Sequence, residues 1–338
     1  MTGSAPATVT SSYRRQPPPL AVKYLLGAWM YGAVAPVGFL LRKLGLMERV
    51  AGSMAAGRQR QLARRNAFRG YVPTTHDVFV MTYPKSGTNW MMQIAHQLLF
   101  HGKGEFEHIH CVVPWPDSRQ FGPMSKYAIP VEDPAVWMAS PEQKRVIKTH
   151  YNWELLPCSE KARYIAVIRD PKDVVVSNYH FFGAVLGPAR PPISDWLGLF
   201  LSENFFMGGS WATNAAGYWA ERHRPNVRIF SFKSMKRDLR AAVCEVADFL
   251  GVRTTEAMIQ EVCEKSSFAY MKRNDDKFAM WNMIPWQQPV AMVRKGSQGG
   301  SSELLSAEQQ RQVDAYFMAE LKRLGCDLPY EEFADLAK

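Results

Sequence analysis

The stretch VFVMTYPKSGTNWMMQIAHQLLF, residues 78–100, narrows the possible folds more than any other part of this chain. Residues Asp77 to Tyr83 are a β-branched and aromatic run of strand length, and Met91, Ile94, Ala95, Leu98 and Leu99 then recur at the spacing of an amphipathic helix. Strand, short loop and helix in that order form a phosphate-holding unit, because free N–H groups and the positive end of the helix dipole meet at the loop. The residue order is not the usual one. The common nucleotide loop reads G-x-x-x-x-G-K-[ST], with lysine after the second glycine, whereas here Lys85 precedes Gly87. Lys85 offers a mobile cation, and Ser86 and Thr88 offer hydroxyl donors; taken alone, the loop also reads as an ordinary turn with a solvated lysine.

Three other stretches carry chemistry of the same kind. In RYIAVIRDPKDVVVSNYHFF, residues 163–182, Tyr164 to Ile168 read as a buried strand, Asp170 as a helix cap and Pro171 as the first helical residue. Arg169 then stands at a strand end and Ser177 two turns into the helix, a forked guanidinium and a hydroxyl able to hold a phosphate. A salt-bridged structural arginine is the alternative. RVIKTH, residues 145–150, is a short strand with Val146, Lys148 and His150 on one face. Lys148 favours the neutral form of His150, which suits a general base; a hydrogen-bonded structural histidine is the competing reading. VRKGSQGG, residues 293–300, sets two cations before glycines, as a loop folding over a polyanion requires, or as a solvated turn.

Val227 to Phe232 is a further strand, and Leu239, Val243, Val246, Ala247 and Leu250 form a helical stripe that Gly251 stops. This alternation predicts an α/β fold, three-layered and P-loop-like, with a central parallel sheet and helices on both faces. Ligands in such sheets bind beyond the carboxyl ends of the strands, where Lys85, Lys148, His150 and Arg169 fall. No strand-ending aspartate supplies a magnesium site in the manner of P-loop hydrolases, which disfavours a metal-assisted triphosphatase.

Together the four stretches resemble the sulfotransferases that use 3′-phosphoadenosine 5′-phosphosulfate (PAPS), particularly the cytosolic type. TYPKSGTNW looks like that family's 5′-phosphosulfate loop, RVIKTH its histidine-bearing strand, RDPKDVVVSNYHFF its 3′-phosphate strand and helix, and RKGSQGG its carboxyl-terminal cofactor loop. GSWATNAAGYW and EKSSFAYMKRN add weaker matches in the same order. The resemblance implies that Lys85, Ser86, Gly87, Thr88, Asn89 and Trp90 hold the phosphosulfate and adenine side. It also implies that Arg169 and Ser177 grip the 3′-phosphate with Arg294, Lys295 and Gly296, and that Ser267 and Phe268 lie by the adenosine. His150 would be the base, Lys148 and Lys85 would stabilise charge, and the product nucleotide would be PAP, with no metal. Transfer to an acceptor hydroxyl follows, with a P-loop-type kinase or a nucleotide-binding scaffold protein as alternatives. Departures exist: Phe232 stands where the family reads tyrosine, and the usual dimer motif is missing after residue 300, which leaves the oligomeric state open.

Composition matters for the rest of the chain. Residues 1–19 are rich in Ser, Thr, Ala and Pro and read as disordered. Tyr24 to Leu41 is a run of eighteen residues without a charge, near the minimum for a bilayer span. Gly27, Gly32, Pro36 and Gly38 weaken a continuous helix there, so a spanning helix, an interfacial segment and a core-docked hairpin all fit. From Arg42 to Arg65 there are seven basic residues and one acid, Glu48, which places that side on the cytoplasm if the run spans. Residues 1–71 are thus expected to be a tail and membrane-associating segment, with residues 24–65 meeting a membrane surface, and residues 72–338 the sulfotransferase domain. The protein is expected in the cytoplasm, membrane-associated through that segment.

A net charge of +10 favours anionic partners. The basic stretch from Arg42 to Arg69 lacks interleaved aromatics apart from Phe68, which argues against nucleic acid. The five cysteines are dispersed, without C-x-x-C pairs or histidines at zinc spacing, and read as small buried residues of a reducing compartment. The acceptor is expected to be a small molecule or lipid, with Phe106, Trp115, Phe121, Tyr127, Phe181, Phe182 and Trp196 as candidate pocket aromatics.

Overall fold

The computed structural model describes residues 13, 17–118, 128–187, 190–203, 205, 209–280, 284–286, 291–294 and 300–337. Its chain divides into two compact units: Asn66–Ile168 with Tyr218–Phe278, and Pro17–Arg65 with Arg169–Gly217 and Ala279–Lys338. The first unit begins ahead of the expected start at Val72. Phe68 is buried with its ring against Phe79 and Tyr151, and Asn66 Nδ2 donates to the Leu155 carbonyl, so these residues belong to the packed core.

The first unit holds a four-stranded sheet of β1 (Asp77–Thr82), β2 (Arg145–Thr149), β3 (Arg163–Ile168) and β4 (Val227–Ser231), parallel throughout in the order β2-β1-β3-β4. Every side chain of β1 and β2 is buried. Because successive side chains point to opposite faces, both faces of the sheet are covered, as all-parallel sheets require. The α/β parallel architecture expected from the alternation is therefore the one observed.

The strand order sets where a ligand can bind. From β1 the chain goes to β2 on one side and returns to β3 on the other, so the crevice beyond the carboxyl end of β1 is the topological switch point. The register pairs Met81 with Thr149 and Thr82 with Val167, which brings those carboxyl ends level. β4 ends one residue earlier than expected, since Phe232 opens the helix Phe232–Arg237.

The helix Thr88–Leu99, expected to be amphipathic, is buried nearly all round. Two of its polar side chains are held by specific partners: Gln93 Nε2 donates to the Lys265 carbonyl at 3.1 Å, and Gln97 exchanges hydrogen bonds with the Gly104 backbone at 2.6 and 3.2 Å. Helix Leu239–Leu250 buries Val243, Val246, Ala247 and Leu250 of its predicted stripe, with Leu239 half-buried at its start, and ends on Gly251 in the left-handed region, φ 71°.

In the second unit the helix Pro171–Leu186 starts as predicted. Asp170 caps it by accepting from the Lys172 N–H at 2.8 Å, and Pro171 takes the first helical position. Lys172 is buried and ion-paired to Asp170 at 3.2 Å and to Asp314. Tyr330 donates to Asp314 at 2.7 Å and the Asp335 N–H to Asp170 at 3.1 Å, so the carboxyl-terminal segment is tied to the helix cap. Buried charges persist there because each is paired.

Residues Leu20–Lys43 form one helical run of 24 residues, where glycines and Pro36 had argued for interruption. A π-helical turn, Met30–Val34, absorbs the proline: the Ala35 N–H donates to the Met30 carbonyl, and the widened turn accommodates a Pro36 ring that would crowd the preceding turn. A second helix, Met47–Arg64, follows.

Candidate active site

The loop after β1 is built by two left-handed residues. Lys85 has φ 72° and Gly87 φ 100°, and the Ser86 N–H closes a turn on the Tyr83 carbonyl at 3.1 Å. A lysine in that region is strained by about 1–2 kcal/mol, and alternating conformations of this kind turn successive N–H groups toward one concavity. Gly87 is required for a second reason. A Cβ there would fall 2.7 Å from Phe232 Cδ2, and Phe232 is itself buried, its ring edge-on to Trp90 at 5.4 Å. The residue that the sequence showed as a missing tyrosine hydroxyl thus packs beneath the loop.

The loop presents the groups an oxyanion needs. Ser86 Oγ is buried without a hydrogen-bond partner among the described residues. No side chain caps the helix Thr88–Leu99, so its first N–H groups, which lack intrahelical acceptors, stay available for a ligand. Thr88 Oγ1 lies 2.5 Å from Thr82 Oγ1 and so is engaged with the strand end. Asn89 is half-buried on the first turn. Trp90 Nε1 donates to the Ser266 carbonyl at 2.8 Å, which joins the loop helix to the segment carrying Ser267 and Phe268. Ser267 caps the helix Phe268–Arg273, and the Phe268 ring is 40% exposed.

His150 immediately follows β2. Its Nδ1 lies 2.9 Å from the Thr82 carbonyl, which only accepts, so Nδ1 carries the proton and Nε2 keeps its lone pair. Burial, then Lys148 and Lys85, hold the imidazole well below its ordinary range, to about 3, against the opposing Thr82 bond. The ring is neutral at physiological pH. Lys148 is buried with its ammonium 3.5 Å from the centre of the Trp115 ring, and burial lowers its pKa to about 7, with Lys85 adding to the shift and Asp117 opposing it. Trp115 in turn stands perpendicular to His150 at 5.8 Å.

Asp117 is the residue that the motifs did not reveal. It is buried, and its Oδ2 accepts from the His150 N–H at 2.8 Å. Burial raises its pKa to about 6, while the His150 bond and Lys148 pull the other way. It lies on a single 3₁₀ turn, residues 116–118, in a stretch whose sequence has no periodicity, so the only available signal was an acid two residues after Trp115.

In the second unit, Arg169 pairs with Asp173 at 3.4 Å, and its carbonyl accepts from Trp211 Nε1 at 3.0 Å. Ser177 sits half-buried on the helix Pro171–Leu186. Arg294 is bound by Glu303, with NH1 at 2.8 and 3.0 Å from the two carboxylate oxygens. Lys295 and Gly296 lie outside the described residues, as do Phe121 and Tyr127. Phe106 packs on His96 and Phe278, and Trp196 on Phe182 and Phe205. Among the described residues, no three His, Cys, Asp or Glu side chains gather as a metal-holding group.

Comparison with known proteins adds the family. Residues 75–325 match the model of the sulfotransferase domain. The chain is similar to sulfotransferase 2A1 of Macaca fascicularis, 30% identical over 271 residues, covering 78% of this chain and 89% of that protein. It is also similar to the luciferin sulfotransferase of Photinus pyralis, 32% identical over 218 residues, covering 59% and 57%. Among solved structures, retinol dehydratase in complex with androsterone and PAP shares the fold with a TM-score of 0.61 at 22% identity, covering 80% of this chain and 88% of that one. Mouse SULT7A1 complexed with PAP does so at 0.59 and 21% identity, covering 81% and 96%.

Proposed function

This chain belongs to the sulfotransferase domain family and is a PAPS-dependent sulfotransferase, and we propose that His150 is the base that deprotonates its acceptor. The observation that carries this reading is the Nδ1 bond to the Thr82 carbonyl, which leaves Nε2 as the acceptor atom beside Lys148. Nε2 takes the acceptor hydroxyl proton as the oxygen attacks. Lys85, Lys148 and the loop N–H groups hold the negative charge that builds on the departing side.

The residues fit the donor. The Ser86 Oγ, buried without a partner among the described residues, the uncapped helix start and the left-handed turn at Gly87 suit a phosphosulfate, with Asn89 and Trp90 beside them and Ser267 and Phe268 at the adenosine. When bound, the nucleotide supplies the sulfuryl group and departs as PAP. Arg169 and Ser177, with Arg294, Lys295 and Gly296, are assigned to the 3′-phosphate on their motifs. Arg294 must then exchange Glu303 for the phosphate.

The acceptor is read as an apolar small-molecule or lipid alcohol. Trp115 against His150 supports an aromatic wall there, and solved relatives hold androsterone or retinol. Membrane association is proposed on the exposed apolar side chains of Leu20–Lys43 and the basic residues that follow, at the cytoplasmic face. Donor carrying labelled sulfate, offered with steroid, phenol and lipid alcohols, tests the reaction. Transfer that persists in EDTA is expected. Magnesium-dependent transfer from ATP would replace this reading with a P-loop kinase, and nucleotide binding without any transfer would make the chain a scaffold.

Asp117 is a positioning residue in this scheme. Asp117→Asn keeps an acceptor for the His150 N–H but removes the anion that keeps Lys148 charged, so the Lys148 pKa drops further. The expected result is about a tenfold lower kcat at neutral pH, with the optimum moved to lower pH. A loss of melting temperature with an unmoved pH profile would reduce Asp117 to a structural role.

A further inference from the structure

The helix Leu20–Lys43 is apolar on two opposite faces, and the two are in different surroundings. Along one face Gly27 and Met30 are buried, and Leu26, Val34, Gly38 and Leu41 are half-buried, a stripe at helical spacing that runs most of the length. The ring of Trp286, a turn residue, sits where a Cβ at Gly27 would lie 2.3 Å away, with Tyr24 and Tyr31 at 5.8 and 5.6 Å around it. Met47 of the next helix approaches Gly38. The opposite face carries Leu25, Trp29, Phe39 and Leu40, each more than half exposed.

A crossing orientation is incompatible with that packing. The covered stripe from Leu26 to Leu41 rises about 22 Å along the helix axis, most of a hydrocarbon core of about 30 Å. Spanning would carry Trp286 and its turn backbone into lipid, where irregular backbone finds no hydrogen-bond partners. A helix lying in the plane of the bilayer keeps its inner contacts and still seats its outer face. The charges agree. Arg42 and Lys43 lie over the Phe39 ring at 5.5 and 5.6 Å, and exposed Arg49, Arg60, Arg64 and Arg65 follow. Glu48, exposed with one carboxylate oxygen near Gly198, is a single acid against seven bases in that stretch.

We propose that Leu20–Lys43 is an in-plane anchor: its Leu25, Trp29, Phe39 and Leu40 face enters a single leaflet of an anionic bilayer, and both ends of the helix stay on the same side. This rests on the membrane reading above and adds the orientation. Full-length chain with an epitope ahead of Met1, made in cells, is recovered on sealed inside-out membrane vesicles and treated with external protease. The epitope and the carboxyl-terminal domain are both expected to be cleaved. Protection of either one overturns the in-plane orientation and leaves membrane association standing.

Purified chain should also sediment with phosphatidylcholine vesicles containing phosphatidylserine more than with phosphatidylcholine alone. Failure of the unaltered chain to sediment with either overturns both readings. Leu25→Asp combined with Leu40→Asp alters only exposed positions. It is expected to lower the bound fraction by about tenfold or more while leaving sulfuryl transfer to a soluble phenol unchanged. Undiminished sedimentation of this variant would show that the outer face is not the contact.

Discussion

His150→Ala is expected to lower kcat by about 10²–10⁴-fold, the usual worth of a positioned general base, while nucleotide affinity stays within a few fold. The separation follows from geometry. His150 meets the rest of the fold through its Nδ1 bond to Thr82 and its backbone bond to Asp117, and Asp117 still binds the alanine N–H. Titration with PAP and single-turnover transfer check the two halves. Loss of PAP binding together with turnover would make His150 a structural residue instead.

The same variant should change the response to acid. In the folded chain the imidazole is held to about 3, whereas in the unfolded chain it titrates near its ordinary value. Between those values the unfolded chain binds the extra proton, so native stability contributed at this site falls as pH drops through about 6.5 toward 3. His150→Ala removes that penalty. It should lose about 1–3 kcal/mol less than the parent across that window, read as a smaller fall in melting temperature between neutral and acidic buffer. Parallel melting curves for the two proteins would contradict the depressed pKa.

Gly87→Ala is the second change with a large expected effect. The left-handed φ of 100° costs a residue with a Cβ about 1–2 kcal/mol, and the 2.7 Å approach to Phe232 adds an overpacking cost of about 1–3 kcal/mol. Relaxation can only come from moving the loop off Phe232 or turning Gly87 out of its conformation, and either misplaces the helix N–H groups. PAPS affinity is therefore expected to fall by about 10²-fold, as donors shift from their anion. Adding Phe232→Ala should relieve the steric part and leave the conformational part, so the double variant is expected to bind better than Gly87→Ala alone. Normal affinity in Gly87→Ala would remove the loop from the donor site.

Much of this was legible along the chain because the signals are local. Asp170 before Pro171 caps a helix wherever that dipeptide opens one, Gly251 stops a helix because only glycine enters the left-handed region cheaply, and the β1 run reads as buried from its own residue types. The helix Thr88–Leu99 was visible as a helix but not as a buried one. Gln93, His96 and Gln97 look solvent-facing until their tertiary surroundings are known.

The sequence by itself determined the order of strands, loop and helices, the family, and which residue types could meet an anion. Only the tertiary structure decided the His150 tautomer, the place of Asp117 behind it and the packing of Phe232 under Gly87. It also decided the continuity of Leu20–Lys43 through its π turn. The physical reason is separation along the chain: a cap or a strand is decided by neighbours a few residues apart, whereas Thr82 and His150, Asp117 and His150, and Gly87 and Phe232 meet only after parallel pairing of β1 and β2 and closure of the sheet have brought them together.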